Sequence, residues 1–334
     1  MADQETGGED ALIQATFAPL ASGVPGAFGL KDDCALLSPP PGMDLVLTTD
    51  AVAEGVDFFA DDAASDIAWK ALAVNVSDLA AKGARPLHYL LALSFPERPS
   101  DAWLESFQAG LAEAQAAFGL SLAGGDTDRR PGPLSIAVTA VGAVERGRFV
   151  QRGTAKAGDC LFVSGTLGDS ALGLRLRQDP SLAGALGLDE AAQGALIGRY
   201  LRPQPRTALA PLLAEFASAA MDLSDGLVKD CGRLARASGL ATRIDGRLVP
   251  LSSPGKKAVQ SRSDLFAAVL TGGDDYEILA AVAPADQDAF RDAAAKGGVA
   301  VTEIGQLASG EGVTVLGPDG RPLDLARSGW DHFP

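Results

Sequence analysis

Lys70-Ala-Leu-Ala-Val-Asn-Val-Ser-Asp-Leu-Ala-Ala-Lys-Gly-Ala-Arg-Pro86 is the stretch from which the fold can be read. Ile67, Ala71 and Val74 follow helical spacing, and the next position on the same stripe is Asp78. Gly83 and Pro86 predict the end of that helix, with Lys82 as a favourable cation in its last turn. Asp78 is disfavoured twice. It points to the packed side, where an unpaired carboxylate is costly, and it lies near the helix C-terminus, where the macrodipole repels negative charge. A positive group is expected opposite it, and on this stretch alone a Lys or Arg and a metal ion have equal claims.

The chain has 334 residues, long enough that two domains are expected. At 47% hydrophobic and 21% charged residues the composition is that of an ordinary globular protein. No run approaches the length of a membrane span, and the acidic, polar start Met1-Ala-Asp-Gln-Glu-Thr-Gly-Gly-Glu-Asp10 does not read as a signal or transit peptide. A cytoplasmic protein is expected. The net charge of −15 opposes nucleic-acid backbones and anionic membranes, so neither is expected as a partner. Cys34, Cys160 and Cys231 lie far apart, which indicates neither disulfides nor a zinc cluster, and each reads as a buried structural thiol. Only His88 and His332 are present, and His88 sits in the apolar run Leu87-His-Tyr-Leu-Leu-Ala-Leu93, where it reads as a strand residue. A Ser-His-Asp triad is thereby nearly excluded, and any acid chemistry must run on carboxylates.

Strands alternate with helices along the whole chain, so the class is mixed α/β. Residues 9–20 predict a helix, 22–29 a flexible loop, 44–50 a strand, 66–82 the opening helix, 87–95 a strand and 101–118 an amphipathic helix. Residues 120–123 predict a short strand ending in the turn Gly124-Gly-Asp-Thr-Asp128, and 134–144 another strand. The polar stretch 145–154 reads as the junction between domains 1–148 and 149–334. Beyond it, 159–165, 219–222, 240–244, 278–282 and 299–304 read as strands. Helices are predicted over 191–201, 207–217, 263–270 and 284–296, and Ser224 lies where a cap would open a further one.

The recurring event is an aspartate where an apolar segment stops: Asp33, Asp50, Asp78, Asp126, Asp222, Asp225 and the pair Asp274–Asp275. Each alone is a turn former or cap. Together they weaken that reading, because turn formers in a random mix would include more Asn and Ser. Clustered hard oxygens without His or Cys suit Mg²⁺, Mn²⁺ or Ca²⁺, and the EF-hand pattern is missing. Mg²⁺ shared between carboxylates and substrate phosphates, beside glycine-rich turns, points to nucleotide phosphate chemistry. Neither a P-loop, nor the protein-kinase motifs, nor a dinucleotide-binding glycine turn occurs.

Nine motifs, taken in order, carry a resemblance. They are Asp32-Asp-Cys-Ala-Leu-Leu37, Thr48-Thr-Asp50, Trp69-Lys-Ala-Leu-Ala-Val-Asn-Val-Ser-Asp78, Gly124-Gly-Asp-Thr127, Val163-Ser-Gly-Thr-Leu-Gly-Asp-Ser170, Arg202-Pro203, Met221-Asp-Leu-Ser-Asp-Gly-Leu227, Gly272-Gly-Asp-Asp-Tyr-Glu277 and Gly329-Trp-Asp-His-Phe333. With them the chain resembles the thiamine-monophosphate kinases, of the superfamily that includes aminoimidazole ribonucleotide synthetase, over essentially its whole length. The resemblance implies an N-terminal mixed sheet that dimerises into a barrel and a C-terminal α/β sandwich. It also implies ATP-dependent phosphorylation of thiamine monophosphate with several Mg²⁺ ions, in a homodimer. Carried over by position, Asp33, Thr48, Thr49, Asp50, Asp78, Asp126, Asp222 and Asp225 would hold metal. Gly125, Asp126, Arg152 and Ser224 would face ATP, and Asp57, Asp274 and Trp330 the thiamine phosphate, with the Trp330 ring on its cationic heterocycles. No side chain is assigned as a general base.

Three departures from the family pattern stand out. Lys31 replaces a Gly before the first Asp pair, Asp57 replaces a substrate-contacting His, and Asp274 replaces a Glu. A carboxylate at position 57 could meet a phosphate only through a metal. The rival readings are a sister enzyme and a non-catalytic metal-binding protein. Among the sisters, selenophosphate synthetase needs a reactive Cys near its N-terminus and a hydrogenase-maturation factor a C-terminal Cys; with Cys34 as the earliest Cys and His332-Phe-Pro334 as the last residues, both are expected to fit poorly, and a purine ligase is the third.

Overall fold

The computed structural model describes residues 9–317 and 319–331, so His332 and Phe333 of the last motif lie outside the described residues. Two compact units emerge: the first takes Met1–Leu79 and Ala84–Gly147, the second Ala80–Gly83 and Arg148–Pro334.

The first unit is a four-stranded sheet in the order β1-β4-β2-β3. After the short helix α1 (Glu9–Leu12), the strands and helices are β1 (Met43–Ala53), α2 (Ala64–Ala81), β2 (Arg85–Phe95), α3 (Asp101–Phe118), β3 (Ser121–Arg129) and β4 (Ser135–Glu145). β1 and β2 flank β4 antiparallel, and β3 runs parallel to β2. α3 is bounded as sequence rules predict, by the Ser100 side chain accepting from the Trp103 N–H and by Gly119 at its C-terminal end. Residues 9–20, in contrast, do not form one helix: α1 passes into a π turn over Ile13–Phe17 and a 3₁₀ turn over Ala18–Ala21, where Pro19 interrupts α-helical bonding. The expected flexible loop contains a 3₁₀ turn over Pro25–Leu30.

The Gly124-Gly-Asp-Thr-Asp128 run is part of β3, not a turn after it. A Cβ on Gly125 would lie 1.9 Å from the Leu91 carbonyl oxygen, so glycine is what lets the strand lie against β2 at all. A register shift between Tyr89 and Leu90 accompanies this close pairing.

The second unit is a six-stranded sheet in the order β10-β7-β9-β5-β8-β6. Its strands are β5 (Cys160–Ser164), β6 (Ala217–Asp222), β7 (Leu240–Asp245), β8 (Ile278–Val282), β9 (Val301–Ser309) and β10 (Val313–Leu316). Its helices are α4 (Asp169–Gln178), α5 (Leu182–Ala185), α6 (Glu190–Leu201), α7 (Ala210–Phe216), α8 (Leu227–Ala237), α9 (Ser253–Ser261), α10 (Leu265–Thr271) and α11 (Gln287–Lys296). Hydrophobic cores cover both faces, one around Leu161, Leu172, Leu234 and Leu279, the other around Phe162, Leu213, Ala280 and Phe290. β5 and β8 are buried along their whole length, which is why both read as continuous apolar runs. α9 and β10 are not anticipated from sequence, since Pro254 and Gly255 in the first and the brevity of the second mask their periodicity.

Candidate functional site

In the first unit, side-chain alternation divides the expected ligands between the two faces of the sheet. Thr48 and Asp50 share the face that carries the buried Val46 and Val52. Thr48 Oγ1 donates to Asp78 Oδ2 at 2.5 Å, joining β1 to α2. The buried Asn75 fixes the adjoining position: its carboxamide oxygen accepts the Asp50 N–H at 2.9 Å while its NH₂ group donates to the Ala71 carbonyl oxygen at 3.1 Å. Asn75 is quoted in the sequence motif without a role, and its signal was a polar side chain inside an apolar helix. Among the described residues no Lys or Arg pairs with Asp78. Lys82 lies just past the end of α2 and donates instead to the Ala220 carbonyl oxygen at 2.7 Å.

Thr49 points to the other face, where its hydroxyl donates to the Val138 carbonyl oxygen at 3.1 Å and accepts from Thr139 Oγ1 at 3.1 Å. On this face a cavity of about 720 Å³ is bounded by the 13–37 segment and by β2, β3 and β4, and Asp33, Gly125 and Asp126 line it together. His88 and Cys34 line it too. Burial lowers the pKa of His88, a strand residue as expected. Cys34 is exposed, a correction to the buried thiol expected there, because residues 31–34 run along the surface; Cys160 and Cys231 are buried. Asp50 and Gly125 share one row across the sheet through Val138 and Leu91, so three strand spacings, on the order of 14 Å, separate them. Asp50 and Asp126 therefore sit at different points of one sheet. Asp57 closes its own turn, where its carboxylate accepts the Ala53 N–H at 2.8 Å, and the buried Lys70 donates to its carbonyl oxygen at 2.7 Å.

In the second unit two loops lie side by side. Asp222 ends β6 and is buried. From the Gly272–Glu277 loop, the Asp274 N–H donates to the Ser224 carbonyl oxygen and the Tyr276 N–H to that of Leu223. Asp274 and Tyr276 adopt left-handed backbone at φ 66° and 48°, each costing about 1–3 kcal/mol that the surroundings must offset. Behind the loop, Glu277 is fully buried. It accepts from Arg199 Nη2 at 2.9 Å, from Arg206 Nε at 2.7 Å and from Ser164 Oγ at 2.5 Å, so its charge is balanced twice over. Its carboxylate raises the Arg206 pKa.

α8 starts differently from the expected Ser224 cap. Gly226 is its first flanking residue, and Asp230, one turn inside, reaches back so that Oδ2 accepts the N–H groups of Ser224 at 3.1 Å and Asp225 at 2.9 Å. Arg233 Nη1 donates to the other oxygen of Asp230 at 2.8 Å, and burial still holds the Asp230 pKa above the usual carboxylate range. Asp225 pairs with Arg233 at 2.5 Å and with Lys229 at 3.2 Å. Lys229 also donates to the Trp330 carbonyl oxygen, and the Trp330 N–H donates to that of Asp225, so the C-terminal segment is fastened beside the start of α8. Arg152 is exposed, with its carbonyl oxygen accepting from Ser238 Oγ at 3.4 Å. Glu277, Asp230, Arg233 and Lys229 carry no role in the sequence reading; the available signal was charge on the buried face of a helix and at a strand start.

Two family models match: the AIR synthase related protein N-terminal domain over residues 31–144 and its C-terminal domain over 156–317. The thiamine-monophosphate kinase of Caulobacter vibrioides is 44% identical over 322 residues, covering 94% of this chain and 88% of that protein. The chain belongs to the thiamine-monophosphate kinase family. A crystal structure of the family member from Stenotrophomonas maltophilia K279a is 41% identical with a TM-score of 0.80, covering 92% of this chain and 98% of that one. Another thiamine-monophosphate kinase structure, AaThiL complexed with AMPPCP and TMP, is 34% identical with a TM-score of 0.77 and covers 100% of this chain and 99% of that one. Both domains therefore have the AIR synthase-like fold common to the thiamine-monophosphate kinases. Among the described residues no helix is long and apolar enough to cross a membrane.

The donor set can be tested against the Mg²⁺ that the family implies. Among the described residues no three His, Cys, Asp or Glu side chains converge as a closed cage. Mg²⁺ does not require one, since it is commonly held by one or two carboxylates with substrate phosphates and waters. A Thr48–Asp78 pair without a cation, and Asp33 with Asp126 on one cavity wall, are hard oxygen donors of that kind. The residues fit.

Proposed function

We propose that this chain transfers the γ-phosphoryl group of ATP to thiamine monophosphate, giving thiamine diphosphate and ADP. The observation that carries the reading is likeness over nearly the full length to AaThiL, whose structure holds AMPPCP and TMP together. We assign Asp33, Thr48, Thr49, Asp50, Asp78, Asp126, Asp222 and Asp225 to metal, Gly125, Arg152 and Ser224 to ATP, and Asp274 and Trp330 to thiamine monophosphate. Asp57, for thiamine monophosphate, and Asp225 are the weakest assignments, because the Asp57 carboxylate already accepts the Ala53 N–H and that of Asp225 is paired with Lys229 and Arg233.

The acceptor is a phosphate monoester, whose second pKa is about 6, so its oxygen is already ionised near neutrality and needs no strong general base. That suits a chain with two histidines. Bound Mg²⁺ supplies screening of the repulsion between the two anions and of the charge that develops in transfer. The protein's part is positioning. Thr48 orients the Asp78 carboxylate, Asn75 fixes the Asp50 backbone, and the paired 222–225 and 272–277 loops hold the substrate side. Transfer is direct and in line, with no phosphoenzyme.

The working form is a homodimer in the cytoplasm. Leu45, Leu47 and Leu90 stand exposed on the open face of the first sheet, an apolar surface of the kind that a second copy would cover.

Purified protein with ATP, Mg²⁺ and thiamine monophosphate is expected to give thiamine diphosphate on chromatography, and chelation is expected to stop turnover while leaving far-ultraviolet circular dichroism unchanged. Chiral-phosphate analysis should give inversion. No product, with turnover of an aminoimidazole or selenide substrate instead, overturns the reading, and net retention at phosphorus overturns the direct transfer.

A further inference from the structure

The buried carboxyl of Asp275 has no part in the chemistry above. It lies between the two left-handed residues Asp274 and Tyr276 and is only 2% exposed. Its Oδ1 accepts the Gly168 N–H at 2.8 Å, while Oδ2 has no partner among the described residues. The charged groups around it are Asp169, Glu277 and Arg199. Arg199 is committed to Glu277 and reaches only the Asp275 carbonyl oxygen, at 3.3 Å. Asp169 is likewise occupied, accepting from Thr166 at 2.8 Å and Ser252 at 2.6 Å. Burial favours the neutral form of Asp275, raising its pKa well above the carboxylate range.

For stability alone, a buried carboxyl with one idle oxygen is a poor choice. What this one achieves is a link. The Gly272–Glu277 loop is held on one side by its backbone bonds to Leu223 and Ser224, and the Asp275 side chain ties it on the other side to the glycine turn ahead of α4. With both sides fixed, the unfavourable backbone at Asp274 persists, and the Tyr276 hydroxyl donates to Asp274 Oδ1 at 3.4 Å.

We propose that Asp275 is a positioning residue for thiamine monophosphate, acting through its bond to Gly168 to hold Asp274 in the substrate-facing conformation. This rests on the assignment of Asp274 to that substrate.

The test uses the full chain and measures KM for each substrate separately, together with thermal melting. Asp275→Ala is expected to raise KM for thiamine monophosphate tenfold or more while leaving KM for ATP within twofold. Asp275→Asn keeps the acceptor for the Gly168 N–H and is expected to restore KM to within threefold of the parent. Should the alanine variant fail to fold, Asp275→Ser, too short to reach Gly168, takes its place with the same expectation. An unchanged KM for thiamine monophosphate in a folded Ala or Ser variant overturns the proposal, as do equal rises for both substrates or an asparagine variant as impaired as alanine. Asp274→Ala separates the two levels: an unchanged KM for thiamine monophosphate there removes the underlying assignment and the proposal with it, whereas a raised KM there beside a silent Asp275→Ala removes the proposal alone.

Discussion

Two carboxyls show how environment gives one residue type different roles. Asp78 has a hydroxyl donor from Thr48 and no cation among the described residues, so its charge is available. Asp78→Asn keeps the shape and an acceptor for Thr48 but removes the charge. We expect a normally folded protein whose kcat falls roughly 10²-fold or more, as when one preorganised electrostatic group is lost. Near-normal turnover in a coupled ADP assay would assign Asp78 a structural role. Asp275 is the opposite case, a carboxyl whose neutral form burial favours. Its folded pKa lies above the unfolded value of about 3.9, so the native state holds a proton that the unfolded chain releases. Its contribution to stability is full below that unfolded value and declines as pH rises toward the folded pKa. Asp275→Asn removes this dependence, so its melting temperature relative to the parent should increase between pH 5 and pH 8. A constant difference across that range would mean that Asp275 is ionised in the fold.

At the scale of elements, the decisive features are the ends of strands and helices. β6 ends beside the start of β8, and the loop that leaves the first bonds through its backbone to the loop that enters the second. α8 is capped from inside by Asp230, which frees Ser224 and turns Asp225 toward Lys229 and Arg233. Lys229 then couples Asp225 to the C-terminal segment through the Trp330 carbonyl oxygen. Lys229→Met keeps the aliphatic stem and removes the ammonium group, while Arg233 still balances Asp225. KM for thiamine monophosphate should rise about tenfold, equivalent to the roughly 1.4 kcal/mol of one charge-assisted bond, with KM for ATP unchanged. Equal effects on both substrates would show that Lys229 only stabilises α8.

At the scale of the whole molecule, the proposed dimer rests on the exposed leucines of the first sheet. Leu47, on the edge strand β1, is 64% exposed, and Leu47→Asp should convert a dimer to monomer in sedimentation velocity with loss of turnover. A monomeric parent, or an active monomeric variant, would overturn the dimer. The sequence by itself determined the α/β alternation, most of the strands, α3 to the residue, and the family, because periodicity, caps and local motifs are short-range properties. It also marked Asp78 as a carboxylate in need of explanation. It could not show that Gly124-Gly-Asp-Thr-Asp128 is strand, since the glycines read as a turn until Leu91 is seen against Gly125. Nor could it divide Thr48 from Thr49, give Asp57 its turn, or find the Glu277, Asp230 and Asp275 networks. Those depend on partners up to 113 residues apart, as between Ser164 and Glu277, and on burial. Only the tertiary structure brings such groups together and sets the dielectric that decides which carboxyls carry charge.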